Sequence, residues 1–600
     1  MHRTQRKDAI HQERGRLGHQ LDRVYRELYD LDRFLQAYAK LYPNDGAMTP
    51  GVTSETVDGM SVEKIKAIIQ SLQDGSFSWK PAKRVYIPKK NGKQRPLGLP
   101  TWTDKLVQEV IRSILEPYFE AKFRDSSHGF RPGRGCHTAL ADCKKKFKGA
   151  NWFIEGDIKG CFDNIDHDVL IAILQESIND ERFIRLISDM LKAGYLEGWT
   201  RHDTHSGTPQ GGVISPLLAN VYMHKLDEFV EDVLQPKYSR GKQRRMNPAY
   251  NRHTRAMLAA KRRGDDDLWK QLKIAQRSIP VADHLDPNFR RLRYVRYADD
   301  FILSFCGPKA EAHDIKSQIK DFLRETLKLE MSEEKTLITH AKEPARFLGY
   351  DIAIMKDDGQ MAVSTNDWGT FRKRSINGLV KLMVPWDKIE AKCQEFLIDG
   401  KPRKRLDQMA NDDFSIVAWY GIVYRGVAEF YCMAHDRARK LSKLNYVMQT
   451  SMLKTLAAKH KTTVNAMAAK YKVKAYDPDA DDFITAFMVK VERPNTRPLI
   501  AQYGGFSLKR KDKAIHDEIS RNRNGRTEIL ERLWADKCEN CGHQGDCQVH
   551  HVHKLANLLK RKGERPGWVD IMIIRSRKTL VLCRKCHSDL HAGRFVRCSR

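Results

Sequence analysis

Six hundred residues exceed what one hydrophobic core serves and imply several domains of about 100–200 residues each. Lys and Arg number 106 against 76 Asp and Glu, a formal charge of +30 with a pI near 9.6, which points to a polyanionic partner, nucleic acid first. Mean hydropathy is −0.59 and no apolar run approaches the roughly 18–20 residues of a bilayer-spanning helix, so a soluble protein is expected rather than a membrane one.

The first segment carries acids within a helical pattern through Leu21, Val24, Leu28 and Leu31, and lacks the uninterrupted apolar core of a signal peptide. No export is expected. The Arg-rich stretch to about residue 40 reads as one amphipathic helix, either packed on a neighbour or touching RNA. From residue 79 onward short strands (Arg84 to Ile87, Trp152 to Ile154, Arg346 to Tyr350) alternate with helical runs such as Asp104 to Phe119, the pattern of a mixed α/β domain. Lys89-Lys90-Asn91-Gly92-Lys93-Gln94-Arg95 reads as a basic β-hairpin with an Asn-Gly turn, able to lay Lys89 and Arg95 over a triphosphate.

The segment Trp152 to His167 runs an apolar strand into Asp157 and then turns toward a helix start. Asp163 and Asp166 follow in that turn, where acids cap backbone N–H groups. Residues 236–293 are a polar insertion with Arg244-Arg245, Lys261-Arg262-Arg263 and Arg290-Arg291, either a solvated face or a clamp on RNA. Tyr297-Ala298-Asp299-Asp300 then sits between the apolar arms of a hairpin. Adjacent like charges at a tight turn repel unless a cation offsets them. A solvated turn is the alternative for an isolated pair, but Asp157 supplies a further strand-end carboxylate. Two Mg²⁺ ions roughly 3.5–4 Å apart, bridged by carboxylates, can activate a hydroxyl and stabilise a leaving pyrophosphate, as nucleotidyl transfer requires.

From about residue 371 to 475 the pattern turns helical. Tyr420, Val423, Tyr424, Val427, Phe430 and Tyr431 share one face, which reads as core. Arg425, Arg437, Arg439, Lys440, Lys443, Lys454, Lys459 and Lys461 occupy the others and suit a grip on a duplex backbone. Residues 476–530 are poor in pattern and end in Arg521-Asn522-Arg523-Asn524-Gly525-Arg526, a basic linker or a small DNA-contacting segment. The twelve cysteines crowd toward the end of the chain. There Cys538, Cys541, Cys583 and Cys586 form two Cys-x-x-Cys knuckles whose number and softness fit a closed structural Zn²⁺ site in a reducing compartment. Cys547 and Cys598 are not expected to be ligands. His550-His551 lies between the knuckles, and His587 and His591 follow at a spacing of one helical turn.

The order Asp157 to Phe162, Thr208-Pro209-Gln210-Gly211-Gly212, Tyr297 to Asp300 and Phe347-Leu348-Gly349-Tyr350 resembles a reverse transcriptase. With Lys89 to Pro100, Ser127-His128-Gly129-Phe130-Arg131-Pro132 and the Cys/His module, nearly the whole chain resembles a bacterial group II intron-encoded reverse transcriptase/maturase with an endonuclease domain. The resemblance implies an α/β right-hand polymerase followed by an α-helical thumb, a small basic DNA-binding segment and a zinc-stapled HNH (ββα-metal) endonuclease domain. It divides the chain into an N-terminal extension and start of the fingers (1–78), fingers and palm (79–365), thumb or maturase domain (366–475), a DNA-binding segment (476–530) and an endonuclease (531–600).

It also implies roles. Asp157, Asp299 and Asp300 would hold the catalytic metals, Asp300 mainly positioning the others. Phe162 would exclude a ribose 2′-OH, Gln210 would lie near the incoming nucleotide, and Phe347, Leu348, Gly349 and Tyr350 would form the primer grip. By the match to HNH modules, His551 would be the general base, with His550, His587 and His591 holding one divalent cation. A zinc ribbon that only binds DNA is the alternative. The middle Asn of such modules is not evident at Lys578-Thr579-Leu580-Val581-Leu582, and Asn557 is a substitute to test. The expected partners are the intron RNA in a ribonucleoprotein, target DNA and dNTPs, without a membrane and with room for a homodimer, in the bacterial cytoplasm at the nucleoid. The implied function joins RNA-directed DNA synthesis, splicing assistance and DNA cutting for intron mobility by target-primed reverse transcription. A maturase that no longer polymerises, or an endonuclease with an attached scaffold, are the rivals.

Overall fold

The computed structural model describes residues 2–88, 92, 94–197, 200–202, 206–207, 211–276, 278–283, 286–357, 361–366, 369–374, 376–493, 496–511, 524–552, 568–569, 572 and 578–596. Where one N-terminal helix is expected, two form. Helix α1 (His2–Leu17) stops at Gly18, whose φ of 72° is a left-handed value open to glycine, and α2 (Leu31–Leu41) starts afresh at Asp30, whose carboxylate accepts the Asp32 N–H. Helix α3 (Val62–Asp74) is capped by Ser61, and α4 (Trp102–Lys122) covers the helix expected over 104–119. Helices α1 and α4 lie close because residue 15 is glycine: a Cβ there would sit 2.2 Å from the Tyr118 carbonyl oxygen.

The basic hairpin forms as expected from β1 (Ala82–Pro88) and β2 (Gln94–Leu99), with Ile87 opposite Arg95 and Gly92 at φ 77° in the turn. The central sheet is antiparallel. It comprises β3 (Trp152–Asp157), β4 (Arg291–Tyr297), β5 (Asp300–Cys306) and β6 (Ile338–His340) in the spatial order β6-β3-β5-β4. Successive side chains alternate between faces, and the two faces serve different cores. Ile154, Leu292, Tyr294, Phe301 and Leu303 join a core that includes the N-terminal helices and α6 (Ser215–Glu228). Phe153, Val295 and Ile302 join another, shared with α5 (Cys136–Lys146) and the thumb. Within the insertion, helices Pro248–Arg262 and Asp266–Gln276 pack on each other.

Arg346 to Tyr350 differs from the strand expected there. It forms the hairpin β7 (Ala345–Phe347) and β8 (Tyr350–Ile354), with Phe347 opposite Tyr350 and both intervening residues at positive φ. The thumb pairs α7 (Asp413–Phe430) with α8 (Arg437–Lys459); the aromatic face of α7 is core at Tyr420 and Tyr424, and Tyr431 just past its end is buried, but Phe430, expected in that core, is exposed. Two expectations for this region change. Arg437 is buried, not a surface cation: its guanidinium donates to the carbonyls of Ala428 and Lys509 at 3.0 and 2.8 Å. Nor is the stretch after 475 a pattern-poor linker. Strands β9 (Lys472–Asp477), β10 (Asp482–Arg493) and β11 (Thr496–Gly504) make a sheet that crosses the expected boundary and packs on α7, where a Cβ on Gly421 would meet the Gln502 carbonyl oxygen at 2.1 Å. Its half-exposed strands mix charged and apolar residues on the outer face, which hides the alternation. Residues 521–523 of the expected basic run lie outside the described residues, and Asn524 opens α9 (Asn524–Trp534).

The C-terminal module is a ββα unit of β12 (Cys547–His551), β13 (Thr579–Cys583) and α10 (Arg584–His591), with Cys547 opposite Cys583. Its apolar residues continue the core that holds Tyr38 and Met60. No described helix is long and apolar enough to cross a membrane.

Behind the central sheet, Arg296 and Asp227 are both fully buried and joined by two bonds, Nε to Oδ1 at 2.7 Å and Nη2 to Oδ2 at 2.6 Å. Removing one partner strands the other charge without water. Asp227→Ala is therefore expected to destabilise the palm by about 3–5 kcal/mol, read as a lowered urea midpoint; a midpoint within error of wild type would contradict this.

Candidate active sites

The central sheet assembles the first site. Asp157 ends β3, Asp300 begins β5 directly opposite it, and Tyr297 pairs with Asp300 across the two-residue turn Ala298-Asp299. Ala298 holds a φ of 56°, a left-handed value that costs a non-glycine residue energy and needs support. The support comes from below. Arg296 donates to the Ala298 carbonyl at 2.8 Å and to Ser127 Oγ at 2.8 Å, and Asn220 Nδ2 donates to the Gly129 carbonyl at 2.7 Å. A Cβ on Gly129 would lie 2.4 Å from the Ala298 nitrogen. The Ser127 to Pro132 motif thus props the turn from behind.

The three acids crowd one another. Burial first, and then the charges of Asp299 and Asp157, push the Asp300 carboxyl up to about 7, and Asp300 hydrogen-bonds Asp157. Burial and then Asp157 also raise Asp299. Lys335 Nζ donates to Asp157 Oδ2 at 2.8 Å. Such a set of oxygen donors, short of positive charge, suits hard divalent cations. Arg95 is exposed on β2 and its charge reaches Asp299, so the hairpin overlooks the acids. Phe162 lies in the short helical turn Cys161–Asp163 after Asp157 and meets the Phe130 ring edge-on at 5.9 Å. Asp166 caps helix His167–Gln175 by accepting the Val169 N–H, the structural role expected for it. Gly211, at φ 115°, approaches the fingers so closely that a Cβ would sit 2.4 Å from the Gly98 carbonyl oxygen. Lys89 and Gln210 lie outside the described residues.

The Phe347 to Tyr350 segment presents Leu348 and Gly349 on its turn, at φ 47° and 75°, while Phe347 and Tyr350 are buried. Tyr350 donates its hydroxyl to the Phe430 carbonyl, and His137 Nε2 lies 2.7 Å from the same oxygen. The turn is thereby fixed to the last residue of α7.

In the C-terminal module the sulfurs of Cys538, Cys541, Cys583 and Cys586 converge to within 4.8 Å of one another. Burial raises the Cys538 thiol, but N–H groups of Cys541, Cys583 and Asn540 outweigh it and pull the thiol below its ordinary value. Backbone donors aimed at sulfur stabilise a thiolate, the form that binds metal. Cys547 is instead pushed up to about 12, by burial and then Asp536, as suits a non-ligand. Cys598 and Asn557 lie outside the described residues.

His550, His587 and His591 also converge, and a residue that sequence reasoning missed joins them: Asp58, on the loop before α3, places its carboxylate within the same 4.8 Å cluster. Its position some 490 residues upstream of His550 gives no local signal. His587 Nδ1 lies 2.9 Å from Gln548 Oε1, a bond that orients the ring and leaves Nε2 facing the cluster. His551 is buried on β12 with Nε2 3.1 Å from the Tyr38 hydroxyl, and burial pushes its pKa down to about 4. It is neutral at pH 7, as a base must be, but its free nitrogen is covered by Tyr38.

Residues 87–243 and 271–352 match the family model for reverse transcriptase (RNA-dependent DNA polymerase), 380–498 that for type II intron maturase, and 538–587 that for AI2M/AI1M-like HNH endonuclease. The group II intron-encoded protein LtrA of Lactococcus lactis subsp. cremoris is 41% identical over 94% of this chain and 95% of its own. An uncharacterized 91 kDa protein in the cob intron of Schizosaccharomyces pombe is 35% identical over 95% of this chain and 69% of its own. The putative COX1/OXI3 intron 1 protein of Saccharomyces cerevisiae is 33% identical, over 94% and 68%.

Two measurements test the electrostatics. The metal-free native state keeps a proton on Asp300 up to about pH 7, whereas an unfolded Asp releases it near pH 3.9, so this group costs stability progressively as pH rises between those values. Asp300→Asn should therefore unfold at higher temperature than wild type at pH 8 without divalent cations, with the gap closing toward pH 4; equal melting at pH 8 would refute the repulsion. Stripping metal with a strong thiol-competitive chelator should open residues 531–596 to protease while the palm stays resistant, since four uncompensated thiolates cannot hold a module of this size; unchanged protection would count against a metal staple.

Proposed function

The chain belongs to the group II intron-encoded proteins that join a reverse transcriptase, an intron maturase and an HNH endonuclease, and from that premise we propose which of its side chains carry each activity. The protein is a multifunctional RNA-directed DNA polymerase, maturase and endonuclease.

Asp157, Asp299 and Asp300 are the polymerase acids. The observation that carries this is their arrangement: two strand-end carboxylates in direct register with the third on a turn braced by a buried Arg. Two Mg²⁺ ions held there would supply Lewis-acid activation of the primer hydroxyl and neutralise charge on the leaving pyrophosphate. Asp157 and Asp299 would be the ligands of these ions, and Asp300, hydrogen-bonded to Asp157, would position them. Arg95 and Lys89 bind the triphosphate of the incoming dNTP, Phe162 excludes a 2′-OH by bulk, and Gln210 sits beside the nucleotide. Leu348 and Gly349, on a turn anchored by Phe347 and Tyr350, hold the primer end. The basic thumb surface takes intron RNA and the template–primer duplex by backbone charge.

Cys538, Cys541, Cys583 and Cys586 hold a structural Zn²⁺. His550, His587 and His591 hold one divalent cation at the scissile DNA phosphate, and His551 accepts a proton from the attacking water. Together these parts serve intron splicing and then insertion into DNA, where the cut strand supplies the 3′-OH that primes cDNA synthesis.

Asp299→Ala separates the activities. Primed cDNA synthesis on an RNA template with Mg²⁺ should fall by about a thousandfold or more, a barrier increase on the order of 4 kcal/mol, while intron splicing and DNA cutting by the ribonucleoprotein persist. Undiminished synthesis would remove Asp299 from the site, and simultaneous loss of all three activities would mean that the residue is structural.

A further inference from the structure

Of the endonuclease histidines, His550 and His587 are buried against the N-terminal region of the same chain, and His591 stands half-exposed at the rim of the cluster. Gly59 donates its N–H to the Val549 carbonyl and the Val549 N–H donates to the Met60 carbonyl, both at 2.9 Å, so the turn at 58–59 is fixed to β12 by an antiparallel bridge at Met60. This places Asp58 in the middle of the histidine cluster. Its Oδ2 lies 2.8 Å from His591 Nε2, and its Oδ1 lies 3.3 Å from His550 Nδ1 and 3.5 Å from His587 Nε2. Oδ1 also accepts the His551 backbone N–H at 2.7 Å, which fixes the carboxylate's direction.

A purely structural salt link does not account for the histidines themselves. Among the described residues Nε2 of the buried His550 has no hydrogen-bond partner and Nδ1 faces only Asp58 Oδ1, at 3.3 Å, an expensive condition for an imidazole. His587 and His591 turn their Nε2 atoms toward each other at 3.2 Å, where only one can carry a proton. Three convergent imidazoles and one carboxylate are the donor number and type of a four-coordinate divalent site. At the same time Tyr38 lies against the nitrogen of His551 that a water would need.

Resting on the reading of His550, His587 and His591 as cation ligands, we propose that Asp58 is the fourth ligand of the endonuclease cation and occupies the coordination position that the scissile phosphate takes during cutting, so that docking of the endonuclease on residues 38 and 58 is its closed form. Both are anionic oxygen donors, so one replaces the other without a change in the charge or type of the ligand. Opening of the Asp58 and Tyr38 contacts then exposes the cation and His551 together. The N-terminal region thereby reaches the DNA-cutting site through the Asp58 carboxylate and the Tyr38 hydroxyl.

The test uses full-length protein with the four-cysteine site filled by zinc and a Co²⁺ titration followed by the visible absorption of four-coordinate nitrogen- and oxygen-ligated cobalt. Wild type, Asp58→Asn and His587→Ala are compared, and cDNA synthesis by each variant checks that the palm is folded. Asn keeps the shape and the acceptor for the His551 N–H but is a poor ligand. Asp58→Asn should weaken cobalt binding about tenfold or more and reduce the four-coordinate band. His587→Ala should abolish it. At saturating Mn²⁺ the Asp58→Asn ribonucleoprotein should nick target DNA faster than wild type. Wild-type cobalt affinity in Asp58→Asn, with loss in His587→Ala, overturns the role of Asp58 and leaves the histidine site intact. Wild-type affinity in His587→Ala overturns the histidine site itself. A nicking rate at or below wild type in Asp58→Asn overturns the exchange with phosphate.

Discussion

A charge pair without water, Arg296 with Asp227, is the constraint around which the polymerase half is organised. Arg296 sits on the strand that leads into the Ala298-Asp299 turn, and its five donors are shared among Asp227, Asn220, Ser127 and the Ala298 carbonyl. A guanidinium in this position does what a lysine could not, because its planar fork reaches carboxylate, hydroxyl and backbone at once. The turn is held in a left-handed conformation that an isolated hairpin would avoid, and the carboxylate beside it is fixed in space. The energetic cost of burying the pair is offset by complete hydrogen bonding, and rigidity at the acids is the return.

That rigidity is directed against a repulsive cluster. Asp157, Asp299 and Asp300 occupy the end of a sheet that buries apolar side chains on both faces, so the strands are anchored by two separate cores while their tips carry like charges. Stability is given up at the tips and recovered in the sheet. The close backbone approach at Gly129 follows the same logic, since it removes a side chain where a loop must pack on the turn that carries Asp299.

The C-terminal module is too small to build a core of its own and solves this in two ways. Four sulfurs gather at one end of its ββα unit. Its apolar face, including Val549 and Leu580, merges with the core around Tyr38 and Met60. Sequence-distant halves of the chain therefore meet, and the meeting surface is also where the histidines lie.

Much of this was legible from residue order. Cys-x-x-Cys spacing, the Asn-Gly hairpin, the paired acids at Asp299-Asp300 and the aromatic face of the helix through Tyr420 and Tyr424 are local patterns, and local patterns fix turn type, helix face and ligand chemistry. The helix break at Gly18, the strands after Lys472 and the hairpin turn at Leu348-Gly349 were not, because weak amphipathicity and mixed outer faces carry little periodic signal. What the sequence by itself determined was the chemistry: which donors exist, in which motifs, and an excess of positive charge that suits a polyanion. What only the tertiary structure decided was who stands beside whom. Arg437 became a buried brace, Arg296 the support of a turn, and Asp58 a neighbour of His550, because long-range burial pairs a charge with whatever the fold brings near, and no spacing along the chain encodes that distance.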